Sequence, residues 1–111
     1  MTPAEFYDFS LKQVEWYNKQ NDFCDGQIAW CNNQLKRERA RDKELATYAL
    51  QKQPDDPLTL RIFGGNYVGD ETRKLTNERA KYYREKKHNN KRIEYYKRQC
   101  EYWGSRIESK L

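Results

Sequence analysis

At 111 residues the chain is long enough for one domain with a modest core and too short for a large two-layer fold. It is 36% hydrophobic and 35% charged with mean hydropathy -1.31, yet it holds nine tyrosines against three prolines and five glycines, a profile of long helices rather than of a disordered or β-rich chain. The net charge of +5 is unevenly divided: residues 1–70 carry 9 Lys+Arg against 11 Asp+Glu, and residues 71–111 carry 13 against 6, so the basic character belongs to the second half.

Thr2-Pro3-Ala4-Glu5 reads as a helix start, with Thr2 as N-cap, Pro3 at the first helical position and Glu5 closing a capping box. The helical pattern runs over residues 3–51, interrupted by one glycine, Gly26, opposite the apolar sector. Within it four consecutive heptads, FSLKQVE, WYNKQND, FCDGQIA and WCNNQLK, each open on a large aromatic and carry glutamine four places later. At about 100° per residue, Phe9, Trp16, Phe23 and Trp30 form one column along the helix, with Gln13, Gln20, Gln27 and Gln34 beside it. Val14, Tyr17, Asn21, Cys24, Ile28, Cys31 and Leu35 lie further round, giving an apolar sector of about 140°, wider than a two-helix seam needs. Such a helix calls for two neighbours. The column is therefore read as core under the rest of the chain, as a contact strip for another protein, or as a self-interface, the last being favoured because soluble proteins rarely leave aromatic strips bare.

The helix stops before Pro54, and residues 53–69 form an arm longer than most bundle connections. In it Leu58, Leu60 and Ile62 alternate with Thr59, Arg61 and Phe63, a short strand-like signal. The expectation is that these apolar residues fold back over the open end of a hairpin; the alternative is a docking arm. The run Gly64-Gly65-Asn66-Tyr67-Val68-Gly69 precedes a helix start and can cradle a phosphate on backbone N-H groups, although turn and cap already account for it.

A second helix is expected over residues 70–109, with Asp70 as N-cap. Its seam of Leu75, Arg79, Tyr82, Lys86, Asn89, Ile93, Tyr96, Cys100, Trp103 and Ile107 suits an antiparallel hairpin in which paired residue numbers add to about 121. That register sets Ile28 against Ile93, Val14 against Ile107, Leu45 near Leu75, Asp42 against Arg79, and Glu38 near Tyr82 and Lys86. The outer face gathers Arg84, Lys87, Lys91, Tyr95, Arg98 and Tyr102 within about 80°, a stripe that either is plain solvated surface or follows a nucleic-acid backbone while its rings stack on bases.

Catalysis finds little support. There is one histidine, His88, no nucleophile beside a base and no Walker-type lysine, so an enzyme is not expected, nor a cofactor. Cys24 and Cys31 lie two turns apart, too far for a disulfide within one helix, and the three cysteines lack the spacing of a metal site. No apolar run approaches the ~20 residues of a bilayer span and the N-terminus resembles no secretion signal, so a soluble, cytoplasmic protein that does not contact membrane is expected.

The opening TPAEFY, the pair Trp16-Tyr17, and Ala29-Trp30 followed by Asn32-Asn33 resemble the start of small phage tail-assembly chaperones, in which a Thr-Pro-x-Glu-Phe opening leads into a helix with a later Ala-aromatic step. The resemblance covers at most the first 35 residues. This chain has Trp16 where that family often has glycine before the tyrosine, and the basic second helix has no counterpart there. What the resemblance implies is a viral accessory protein, acting in the host cytoplasm by binding other proteins without catalysis. The expected architecture is thus a single all-α domain over residues 1–111, a long coiled-coil-like antiparallel helical hairpin completed as a bundle by oligomerisation, with a dimer favoured.

Overall fold

In a computed structural model, which describes residues 1–65 and 67–108, the chain is an all-α helical hairpin without strands among the described residues. Asn66 of the glycine-rich run and Ser109, where the second helix was expected to end, lie outside the described residues. The elements are α1 (Pro3–Lys52), α2 (Pro57–Phe63) and α3 (Asp70–Glu108). No helix among the described residues is long and apolar enough to cross a membrane. The chain divides into two compact units, one of Met1–Gln27 with Lys81–Leu111 and one of Ile28–Ala80.

In the first unit, α1 starts on the capping box: Thr2 Oγ1 accepts the Glu5 N-H at 3.2 Å, and Glu5 Oε1 accepts from the Thr2 nitrogen at 3.4 Å. Val14 and Cys24 on α1 and Ile93 on α3 are the buried apolar residues of a thin core, and Ser10 and Asn89 are buried as well. Rings extend this core. Phe6 stacks on Trp103 at 4.5 Å and Tyr17 on Tyr96 at 6.2 Å, and the Arg92 guanidinium lies 5.7 Å from the Tyr96 ring centre. Three asparagines lock the helices together: Asn89 Nδ2 donates to Asn21 Oδ1 at 3.1 Å, and Asn21 Nδ2 donates to Asn90 Oδ1 at 2.9 Å. Directly beyond them Lys86 pairs with Asp25 at 2.6 Å.

In the second unit the core is Ile28, Cys31 and Leu35 with Leu75. Asp42, buried on α1, accepts from the Gly69 N-H at 3.0 Å and from the Thr72 hydroxyl at 2.8 Å. The Gly69 carbonyl in turn accepts the first helical N-H of α3, from Arg73. Gly69 therefore occupies the N-cap position expected for Asp70, and its capping carboxylate arrives from another helix. Glycine is needed there because a Cβ would sit 2.7 Å from Asp42 Oδ1. Residues 57–63 form a helix, not the strand-like segment their alternation suggests. Asp56 caps it, accepting from the Thr59 N-H and hydroxyl, and Pro57 fills the first turn, so local capping overrides a period-two pattern. Of its apolar residues Leu58, Leu60 and Ile62 are exposed, whereas Phe63 is partly buried and Thr59 is buried.

The hairpin register also differs from expectation. Asn21 with Asn90 in the first unit, and Asn32 with Arg79 and Asp42 with Gly69 in the second, give paired numbers adding to about 111. The slip is about ten residues, close to three helical turns, so each seam residue keeps its face and only its partner changes. Asp42 bonds Gly69 and Thr72 rather than Arg79, Arg79 donates to Asn32, Lys86 pairs with Asp25, and Leu45 remains exposed. The cause lies in the connection: α3 starts level with Asp42, and the last turns of α1 run on beyond it beside the returning segment.

Candidate functional site

The aromatic column emerges from the heptads as a half-exposed strip. Phe9, Trp16 and Phe23 in the first unit, and Trp30 in the second, are 47 to 56% exposed. Their inner edges are held. Phe9 meets Tyr96 edge-on, Phe23 meets Tyr82 in the same way at the same 6.2 Å, and Trp16 leans on Tyr17 at 4.8 Å. Phe9 and Phe23 are fourteen residues apart, as are Tyr82 and Tyr96, so two like ring contacts recur about 21 Å apart along the pair. These edge contacts fix the rings and leave their outer faces bare. Gln13, Gln20 and Gln27 in the first unit and Gln34 in the second are partly buried, and no side-chain hydrogen bond among the described residues engages any of the four amides.

The basic stripe of α3 is exposed throughout: Arg84, Lys87, Lys91, Tyr95, Arg98 and Tyr102 all face solvent. Its rings are not idle, since Arg92 lies 6.0 Å from the Tyr95 ring centre and Arg106 4.5 Å from that of Tyr102. Arg98 is shared with Glu94 at 3.8 Å, a solvent-exposed pair of little energetic weight.

Packing of the first unit brings the two expected surfaces together. A groove of 410 Å³ is lined by Trp16, Tyr17 and Gln20 from α1 and by Lys81, Arg84 and His88 from α3. Lys81 and His88 fall outside the stripe and were not expected to contribute. The signal was present in the spacing, because they lie on the flank of α3 that antiparallel packing turns toward the aromatic column, but using it requires the handedness of the pair. At the groove floor Cys24 donates to Glu85 at 3.5 Å; burial, and then this bond, raise its thiol pKa. Burial also raises Cys31 and Cys100, and all three cysteines are free. No cluster of three or more His, Cys, Asp or Glu among the described residues can hold a metal ion. At the α3 start, where the glycine-rich run offered a phosphate cradle as the alternative to a turn and cap, the Gly69 N-H is taken by Asp42.

No protein-family model, curated protein or solved structure matches this chain.

Proposed function

We propose that this chain is a non-catalytic assembly protein that pairs with a second copy of itself through the aromatic face of the first unit. The carrying observation is the row of Phe9, Trp16 and Phe23, anchored at their inner edges and bare outside, beside glutamine amides that make no side-chain hydrogen bond among the described residues. A second copy suits this face on charge as well as shape. Residues 1–27 hold five acidic and two basic side chains, whereas residues 81–111 hold four acidic and ten basic. A symmetric pair that sets α1 of one copy beside α3 of the other alternates acidic and basic helices, seals the rings, and gives the glutamines amide partners across the interface. Trp30, the fourth aromatic of the heptads, is equally bare in the second unit. The resemblance of the opening motif to phage tail-assembly chaperones makes a viral accessory role in the host cytoplasm, with a further protein as cargo, the setting we favour. Replacing Trp16 and Phe23 by alanine tests the reading: the oligomer should dissociate with helicity retained, and an unchanged mass would defeat it.

A second reading rests on the shared groove. Trp16 beside Lys81, Arg84 and His88, continued by Lys87, Lys91 and Arg98, suits a single nucleic-acid strand bound without sequence preference. Under this reading R84E/K87E/K91E/R98E abolishes salt-sensitive retention of oligonucleotides, and a wild-type protein showing no retention at low salt ends it.

A further inference from the structure

The second unit contains a cavity of 880 Å³ between the last turns of α1, the segment after α2 and the start of α3. Its size is within the range of small-molecule sites, about 300 to 1,000 Å³. The lining is polarised along α1. Arg39 and Lys43 flank Asp42, and Arg73 follows the Thr72 that bonds Asp42, so three cations gather at one end. Ala46 and Leu50 continue the lining along α1, and Phe63 and Tyr67 add two rings with centres 4.8 Å apart and planes tilted by 54°. The one acid in the lining, Asp42, is already committed to Gly69 and Thr72. None of Arg39, Lys43 and Arg73 makes an ion pair among the described residues.

Three cations set against the single Asp42 carboxylate, in a cavity that also presents two rings, suit a ligand that carries an oxyanion and a flat apolar body. Two guanidinium groups favour phosphate, which they grip with paired N-H donors. Phe63 and Tyr67 offer the body an aromatic surface rather than a narrow alkyl slot. We propose that this cavity binds a nucleotide unit, its phosphate held by Arg39, Lys43 and Arg73 and its base set against Phe63 and Tyr67. The same chemistry is available from a free mononucleotide or from one nucleotide of a strand. This site shares no residue with the aromatic face of the first unit and does not depend on self-association.

The test is a titration of the full chain, labelled with ¹⁵N, with adenosine 5′-monophosphate, adenosine, inorganic phosphate and a six-residue oligodeoxyadenylate. The expected result is amide shifts at Lys43, Ala46, Leu50, Tyr67 and Arg73, with adenosine and phosphate alone each binding at least tenfold more weakly. The substitutions R39Q/K43Q/R73Q lie on exposed positions and should keep the spectrum folded while weakening binding at least tenfold. Tighter binding of the monophosphate identifies a free nucleotide as the source, and tighter binding of the oligomer at the same amides identifies a strand. Absence of shifts at these amides, equal binding of adenosine, or unchanged binding by the triple variant overturns the proposal.

Discussion

In the first unit two helices meet through rings and asparagines over a core of little more than Val14, Cys24 and Ile93, while Phe9, Trp16 and Phe23 stay half in water. The second unit has a third element and a cap of its own: Asp42 ties α1 to the start of α3, and the segment carrying α2 returns beside the end of α1. A helix pair with a thin core and bare rings is unfinished, because two helices alone cannot cover a 140° apolar sector. A unit closed by a buried carboxylate is not. The difference is the ground on which we propose self-association for the first unit and small-ligand binding for the second.

The strongest way to break this comparison within the second unit is Asp42→Ala. It removes two hydrogen bonds to a buried carboxylate and leaves the Gly69 N-H without a cap, so urea unfolding should show a loss of about 2 to 4 kcal/mol. Asn89→Ala tests the first unit in the same way. It strips Asn21 of one partner in a partly buried lock, and a loss of about 1 to 2 kcal/mol is expected, with less for Asn90→Ala because Asn90 is exposed.

The glycines sharpen the comparison in opposite directions. Gly69→Ala forces a methyl against the Asp42 carboxylate and should cost about 1 kcal/mol or more. A Cβ at Gly26 meets nothing within 4 Å, and one at Gly104 meets only the Tyr7 ring at 3.5 Å, so alanine at either should stabilise by up to about 1 kcal/mol through helix propensity. Thermal unfolding of the three variants separates these outcomes.

The smallest effect expected is on pH dependence. Burial holds the Cys24, Cys31 and Cys100 thiols above their ordinary 9.0, and the bond to Asp25 raises Lys86 above 10.5. In each case the folded chain keeps a proton that the unfolded chain loses first, so the contribution of these groups to stability is level below about pH 9 and declines as pH rises beyond it. The Lys86 pair is partly exposed and adds little. Urea midpoints between pH 7 and 11 measure the decline, and an increase across that range would contradict it.

Much of this architecture is legible in the sequence, and what is not has a common cause. The capping box at Thr2, the break before Pro54 and the heptad column depend on neighbours in sequence, and those signals are strong. The register is not local. A shift of nearly three turns leaves every seam residue on its face, so hydrophobic pattern cannot tell one alignment from the other; the asparagine lock and the Asp42 cap decide it, and each needs two distant residues to meet. The segment 57–63 misleads for a related reason, since its alternation suggests a strand while Asp56 and Pro57 supply a helix start. Lys81 and His88 escape notice because groove membership follows from how α3 is rotated against α1.

The central claim is that the first unit is completed by a second copy of the chain, and absolute molar mass by light scattering coupled to size exclusion tests it most directly. The account predicts a discrete species of twice 13.5 kDa for the wild-type chain, with a protein-like absorbance ratio, and a 13.5 kDa species of retained helicity for W16A/F23A. A wild-type monomer at every concentration, or a dimer indifferent to the double substitution, would contradict it.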